Sequence, residues 1–209
     1  HLGPDDFLLP PLPNHLFQRD NSAWVYDGVS VNPMAKQARR RETLNSRVVY
    51  NFHPMFTAGP MRFLYGNDSA AHETATIEGG DITVIGHRAV MIGMGERSTP
   101  QGIEILARSL FRAGTVDTVL VVELPHSRAF MHLDTVMTMV DKDAFCLFPY
   151  LPDTLRSFTL TRLDDAGELK VGVLLDLELS GVVETREGEG PQRVRQVREQ
   201  AERVLVHHR

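Results

Sequence analysis

One cysteine in 209 residues cannot close an intramolecular disulfide, so packing and hydrogen bonding must hold the fold, and a reducing compartment is expected. Excess positive charge is missing too: 27 acidic residues against 22 basic ones leave a net charge of -5. That balance argues against a general nucleic-acid binder, whose surface is ordinarily basic. Lysine is scarce, with three among the 22 basic residues. No apolar run approaches the roughly 20 residues that cross a bilayer, and no secretory leader is visible. The expectation is a cytoplasmic protein with no nucleic-acid and no membrane partner. A starting Met is absent as well; the chain opens His1-Leu2-Gly3, as a trimmed or incomplete start would. What is present is ordinary globular composition, 42% hydrophobic and 23% charged, long enough for one domain or two small ones.

A pattern recurs along the chain. Ala23-Trp24-Val25-Tyr26 and Val29-Ser30-Val31-Asn32 flank Asp27-Gly28, a dipeptide suited to the positive φ of a tight hairpin. A helix-like stretch from Met34 to about Leu44 and the β-branched run Val48-Val49-Tyr50 follow. In the second copy, Ile82–Ile85 and Ala89–Ile92 flank Gly86-His87-Arg88. Thr99-Pro100 then reads as N-cap and first helical residue, Ile103, Leu106, Ala107 and Leu110 form a helical stripe, and Val119–Val122 is a closing buried strand. The third copy has Thr135–Val140 and Ala144–Leu147 about a turn at Asp141-Lys142-Asp143, a short helix near Pro152–Arg156, and the strand Phe158-Thr159-Leu160. The turns fall roughly 55 to 60 residues apart, which predicts three strand–strand–helix–strand units in a fan-shaped α/β assembly. Beyond residue 170 the texture changes. Val173, Leu175, Leu177 and Leu179 alternate as in a strand, and Val194, Val197, Ala201 and Val204 recur as on an amphipathic helix. That helix either packs on its own domain or leaves a homo-oligomer open.

Polar residues precede the first strand of each unit at similar offsets. Asp20 lies seven residues before Asp27, Glu78 eight before Gly86, and Asp134 seven before Asp141, with His132 two residues further back. If the units fan around an axis, these side chains share one cleft. Clustered carboxylates raise one another's pKa unless a cation joins them. A metal or an organic cation would serve; a single imidazole in the cluster fits a planar guanidinium, whose fork matches two carboxylates, better than a metal. An extended His132-Leu133-Asp134 would put both polar side chains on one face. Glu78 beside the imidazole would hold it protonated or orient it for proton transfer. The bland alternatives are a satisfied structural histidine and turn or cap aspartates. In Glu78-Gly79-Gly80-Asp81 the paired glycines allow close backbone approach to a ligand. Arg39-Arg40-Arg41 reads as a solvated helix face, and Gly93-Met94-Gly95-Glu96 lacks the Lys-Ser/Thr of a phosphate loop.

Six stretches in order carry a resemblance: Pro11-Leu12-Pro13-Asn14, Phe17-Gln18-Arg19-Asp20, Ala38-Arg39-Arg40-Arg41-Glu42, Ile77-Glu78-Gly79-Gly80-Asp81, Gly93-Met94-Gly95-Glu96-Arg97-Ser98-Thr99-Pro100-Gln101-Gly102 and Met131-His132-Leu133-Asp134-Thr135. Together they resemble bacterial arginine deiminase over roughly residues 8 to 165. The resemblance implies a pentein-type α/β propeller, here about three of its five units. It also implies hydrolysis of L-arginine to L-citrulline and ammonia through a covalent Cys adduct, without cofactor or metal. By the same resemblance Asp20 and Asp134 would grip the guanidinium, and His132 would be general acid and base, assisted by Glu78. Asn14, Arg39 and Arg97 would hold the α-carboxylate end, and Phe17 would pack on the aliphatic stem. On this basis residues 1–170 form a partial catalytic domain and 171–209 a divergent tail with a strand and an amphipathic helix.

The departures are equally definite. The family's Cys-x-x-Cys-Pro-like nucleophile segment and its Asp-Gly-Asn-Asn-like segment do not occur in these 209 residues. Cys146 is the sole thiol, and its place on the second strand of the third unit predicts a buried structural role. The chain alone is therefore expected to be inactive. A guanidino-binding module without turnover, an amidinotransferase and a methylarginine hydrolase are the competing readings.

Overall fold

A computed structural model of the chain describes residues 3, 6–67, 74–141, 144–152, 154–162, 169–178 and 193–196. One helical turn, α1 (Gln18–Asn21), leads into the antiparallel hairpin of β1 (Ser22–Val25) and β2 (Gly28–Val31). The turn itself differs from the expected one. Tyr26, with φ 53°, takes the left-handed conformation, while Gly28 opens β2 because a Cβ there would stand 2.7 Å from the Leu64 side chain. Helix α2 (Arg40–Phe52) follows and includes Val48-Val49-Tyr50, which is helical and not the expected strand. Val48 and Val49 are exposed on its surface, so burial does not enforce their β preference, while Tyr50 turns inward and its hydroxyl meets Ser22 Oγ at 3.0 Å. The chain before Pro54 is extended at His53, which ends the helix. A short α3 (Pro54–Thr57) then leads to β3 (Arg62–Tyr65), which runs parallel to β2.

The second unit matches its expectation closely. In β4 (Ile82–Gly86) and β5 (Ala89–Met94) the strands pair antiparallel about His87 and Arg88, both at positive φ as a tight hairpin turn requires. Helix α4 (Pro100–Ala113) is capped by the Thr99 hydroxyl, which accepts from the Gly102 amide, and stops at Gly114 with φ 69°. Its buried face, Ile103, Leu106, Ala107, Leu110 and Phe111, packs into the first core. Strand β6 (Thr118–Glu123) returns parallel to β5.

Another helical turn, α5 (Leu133–Val136), precedes the third hairpin, β7 (Met137–Asp141) and β8 (Ala144–Leu147). Here the repeat departs from expectation. Residues 154–156, expected in a short helix, open strand β9 (Thr154–Arg162), and β9 pairs antiparallel with β6 of the second unit. Strand β10 (Leu169–Glu178) extends that sheet to the order β10-β9-β6-β5-β4 and crosses position 170 without interruption. Strand β11 (Arg193–Gln196) adds to β8, so these residues are extended and not helical; the rest of the expected amphipathic helix lies outside the described residues. The molecule thus has two strand–strand–helix–strand units and a third hairpin, a mixed α/β fold with three sheets among the described residues.

Strand β5 is buried on both faces and divides the core. Val90 and Ile92 pack toward α4, while Met91 joins Leu120, Val122, Leu124, Leu133, Val136 and Phe145 on the other side. Leu133 and Val136 therefore anchor α5, and with it the residues at its start. Among the described residues no helix is long and apolar enough to cross a membrane. Gly102 shows how tightly α4 seats: a Cβ there would lie 2.2 Å from the Thr76 carbonyl oxygen, which the Thr99 amide already holds at 2.9 Å. Gly102→Ala is expected to lower the thermal midpoint by about 4–8 °C through overpacking. Gly59→Ala, where a Cβ meets nothing within 4 Å, is expected to leave it unchanged. Scanning calorimetry of both variants checks this, and equal midpoints would contradict it.

Candidate active site

Each hairpin is preceded by a short helical turn: α1 before β1, the 3-10 turn Gly79–Asp81 before β4, and α5 before β7. The middle turn packs against both others. The paired glycines make this approach possible. A Cβ on Gly79 would collide with the Arg19 carbonyl, and one on Gly80 would stand 2.8 Å from the His132 ring. The close approach they permit is thus to α1 and to an imidazole of the protein itself. His132 is extended and serves as N-cap residue of α5, whereas Asp134 lies within the helical turn, so the segment is not the continuous extended one expected.

His132 Nε2 and Glu78 Oε2 are 2.8 Å apart, with His132 5% and Glu78 0% exposed. Glu78 Oε1 accepts from the Ala35 amide at 3.1 Å, and the Arg97 guanidinium stands 3.4 Å from Oε2. Burial works to raise the Glu78 pKa, but the hydrogen bond and charge of His132, then Arg97, outweigh it and hold the carboxyl below its ordinary range. Burial likewise works to lower His132; the Glu78 hydrogen bond and the charges of Asp81, Glu78 and Asp20 reverse that and raise it. Both shifts favour the charged form of each partner, and His132 Nδ1 faces Asp20 Oδ1 at 3.7 Å.

Asp20 and Asp134 each meet an arginine of the chain. Arg39 Nη1 donates to Asp20 Oδ2 at 2.6 Å, and Arg19 Nε lies 3.4 Å from Asp134 Oδ2. Arg39 is not on a solvated face as the basic run suggested. It is 7% exposed, forks onto the fully buried Glu42, and donates through Nη2 to the carbonyls of Asn14 and Phe17. Burial opposes its charge, yet hydrogen bonds to Glu42 and Asp20 raise its pKa further. Arg39 therefore ties the segment from Asn14 to Asp20 onto α2. For Asp134, burial raises the pKa against the charges of His132 and Arg19.

These side chains border a cleft of about 800 Å³ lined by Asn14, Phe17, Arg97, Arg128, His132 and Asp134 among others. Asp20 and Arg39 also line it, while Glu78 lies buried behind His132. Phe17 is 58% exposed. Arg97 donates to Met131 sulfur at 3.3 Å, and its buried Nε has no partner among the described residues. Cys146 is half-buried on β8 and not fully buried as expected, and it is absent from the cleft wall. Among the described residues no three His, Cys, Asp or Glu side chains stand in metal-ligating geometry. Sequence reasoning missed Glu42, Arg19, Asp81 and Ser98. Asp81 and Ser98 lie inside the quoted motifs, beside Glu78 and Arg97, so proximity was the available signal.

Comparison with known proteins places this geometry in a family. The model of the arginine deiminase family matches residues 1–189. ArgZ, an arginine dihydrolase from the ornithine-ammonia cycle in cyanobacteria, superposes in its apo form with a TM-score of 0.51 at 18% identity, over 66% of this chain and 19% of that one. A mutant of AgrE in binary complex with L-arginine gives 0.51 at 21% identity, over 68% and 19%. A mutant of DDAH from Pseudomonas aeruginosa complexed with citrulline gives 0.48 at 20% identity, over 62% and 44%. The chain spans less than half the length of each of these proteins.

The shifts of the central pair fix a pH window. Glu78, lowered from 4.5, contributes stability above that value that is lost as pH falls through its folded pKa. His132, raised from 6.5, contributes stability below that value that is lost as pH rises through its folded pKa. A double-mutant cycle with Glu78→Gln and His132→Gln, followed by denaturant melts from pH 4 to 9, is expected to show coupling greatest between about 4.5 and 6.5. Coupling that stays flat across the range would contradict the ionised pair.

Proposed function

The chain belongs to the arginine deiminase family, and on that premise we propose that its cleft binds the guanidinium of L-arginine and handles the protons of its hydrolysis to L-citrulline and ammonia. One observation carries the reading: His132, its Nε2 2.8 Å from the buried Glu78 carboxylate, faces a cleft that Asp20 and Asp134 also line. Two carboxylates flanking a proton donor fit a planar cation whose C–N bond is to break. The Arg19–Asp134 contact is long and its arginine half-exposed, so an incoming guanidinium has a weak partner to displace there. Asp20 keeps Oδ1 toward His132 while Oδ2 is held by Arg39.

In this reading a thiolate adds to the guanidinium carbon, and His132 gives its proton to the departing nitrogen, which leaves as ammonia. The same imidazole then takes a proton from water, whose oxygen adds to the carbon; the thiolate leaves, the proton remaining on that oxygen passes to the released ammonia, and citrulline forms. The net change is one guanidinium and one water consumed, one neutral ureido group and one ammonium ion formed. Among the described residues lining the cleft there is no thiol, and in this reading Cys146, on β8 away from the cleft, is not the nucleophile. We assign Arg97, which lines the cleft beside Met131, to the substrate carboxylate. Arg39, engaged by Glu42, Asp20 and two carbonyls, serves the substrate end through the loop it fixes. A second reading, a guanidino-binding module without turnover, is favoured by Cys146 lying away from the cleft.

Calorimetric titration of L-arginine tests the binding step. Asp20→Asn and Asp134→Asn are each expected to lose about a hundredfold in affinity, on the order of 3 kcal/mol, while Asp117→Asn, paired with the remote Arg88, binds like the wild type. Equal binding by all four proteins would contradict the reading. A colorimetric assay is expected to find no citrulline formed by these 209 residues alone. Turnover that vanishes in Cys146→Ser would overturn the reading that Cys146 is not the nucleophile.

A further inference from the structure

Asp81 is a third buried carboxylate, 1% exposed, with no part in the chemistry above. Its surroundings are unusually complete. Oδ1 accepts from the Leu133 amide at 2.9 Å, and Oδ2 accepts from the Ser98 hydroxyl at 2.5 Å. Leu133 is the first residue of α5, and His132, the N-cap residue, makes no capping bond with its own side chain. Asp81 therefore caps α5 from another unit of the fold, the role a residue at the N-cap ordinarily fills. Ser98 Oγ in turn accepts from the Glu78 amide at 3.1 Å. A single connected chain of bonds thus runs from the backbone of Glu78 through Ser98 and Asp81 to the backbone that carries His132 and Asp134. Space has been cleared for it: a Cβ on Gly93 of β5 would stand 2.5 Å from Asp81 Oδ1.

We propose that Asp81, together with Ser98, is a positioning residue for the proton-carrying pair: it sets the backbone that presents His132 and Asp134, and its charge governs how readily His132 gives up its proton. Asp81 reaches no substrate position and acts through its neighbours. The titratable groups facing this network are His132 at the start of α5, Glu78 ahead of the middle turn, Asp20 on α1 and Arg97 beside Ser98. Burial, only partly offset by Ser98, the charge of His132 and the Leu133 amide, pushes Asp81 up to about 7. Its proton and that of His132 are consequently coupled: when Asp81 ionises, the new negative charge favours the charged imidazole. As pH rises, the loss of the Asp81 proton defends the proton on His132, and the site keeps its acid into a range where an isolated histidine would have lost it.

The inference rests on His132 as the proton carrier, and its test requires no substrate, so a failed arginine titration leaves it standing or falling separately. Carbon and nitrogen NMR of the wild-type chain is expected to show the Asp81 carboxyl titrating with a midpoint near about 7, with the Leu133 amide following the same curve. A carboxyl whose titration is finished below about pH 5, with a flat Leu133 amide, would overturn the proposal. Asp81→Asn keeps an acceptor for the Leu133 amide and removes the charge. The His132 ring carbons should then titrate at lower pH than in the wild type while the Leu133 amide stays protected from exchange. Asp81→Ala should lose that protection as well. A His132 titration that Asp81→Asn does not move would refute the electrostatic half, and a Leu133 amide still protected in Asp81→Ala would refute the positioning half.

Discussion

Glu78 carries its charge with no exposure to water, and the rest of the cleft is arranged around that constraint. An ionised carboxylate in such a place is tolerable only when its lone pairs are fully met. The His132 imidazole, the Ala35 amide and the Arg97 guanidinium meet them from three separate segments of the chain. Loss of any one leaves a buried charge partly unpaired, so the three segments are locked relative to one another. The functional geometry and the stability of this region are the same set of contacts.

The backbone follows from this requirement. His132 can reach Glu78 only over a residue without a side chain, which Gly80 supplies, and α1 can lie alongside only because Gly79 offers no Cβ to the Arg19 carbonyl. On the far side, Leu133 and Val136 are buried in the second core and hold α5 in place. Arg39 performs the equivalent service for α1, since its bonds to Glu42, Asn14 and Phe17 draw the segment that carries Asp20 onto α2. Apolar burial sets where the turns stand, and charged hydrogen bonds set how their side chains face.

Much of this was legible from local pattern. The second unit, from Ile82 to Val122, has tight-turn residues, a capped helix with Pro100 and a regular apolar stripe, and those signals need no distant partner to act. The convergence of Asp20, Glu78, His132 and Asp134 was legible because the hairpins repeat. Other features depend on contacts that adjacent residues do not reveal. Val48 and Val49 look like a strand, yet they lie on the exposed side of a helix that Tyr50 and Ser46 hold in place. Phe158-Thr159-Leu160 reads as the closing strand of the third unit, but it lies in β9, whose register belongs to β6. Arg39 read as solvated because Glu42 and Asp20, which neutralise it, meet it only in three dimensions. Asp81 and Ser98 stood in plain view within the motifs, and only their mutual geometry shows what they do.

The central claim is that the cleft between α1 and α5 grips a guanidinium beside a buried imidazolium. A crystal structure of the chain with L-arginine tests it most directly. The account predicts the guanidinium between Asp20 and Asp134 with His132 within hydrogen-bond distance of one of its nitrogens, Arg19 displaced from Asp134, and the substrate carboxylate toward Arg97. An arginine bound with its carboxylate at Asp20 and Asp134, or held elsewhere on the molecule, would contradict it.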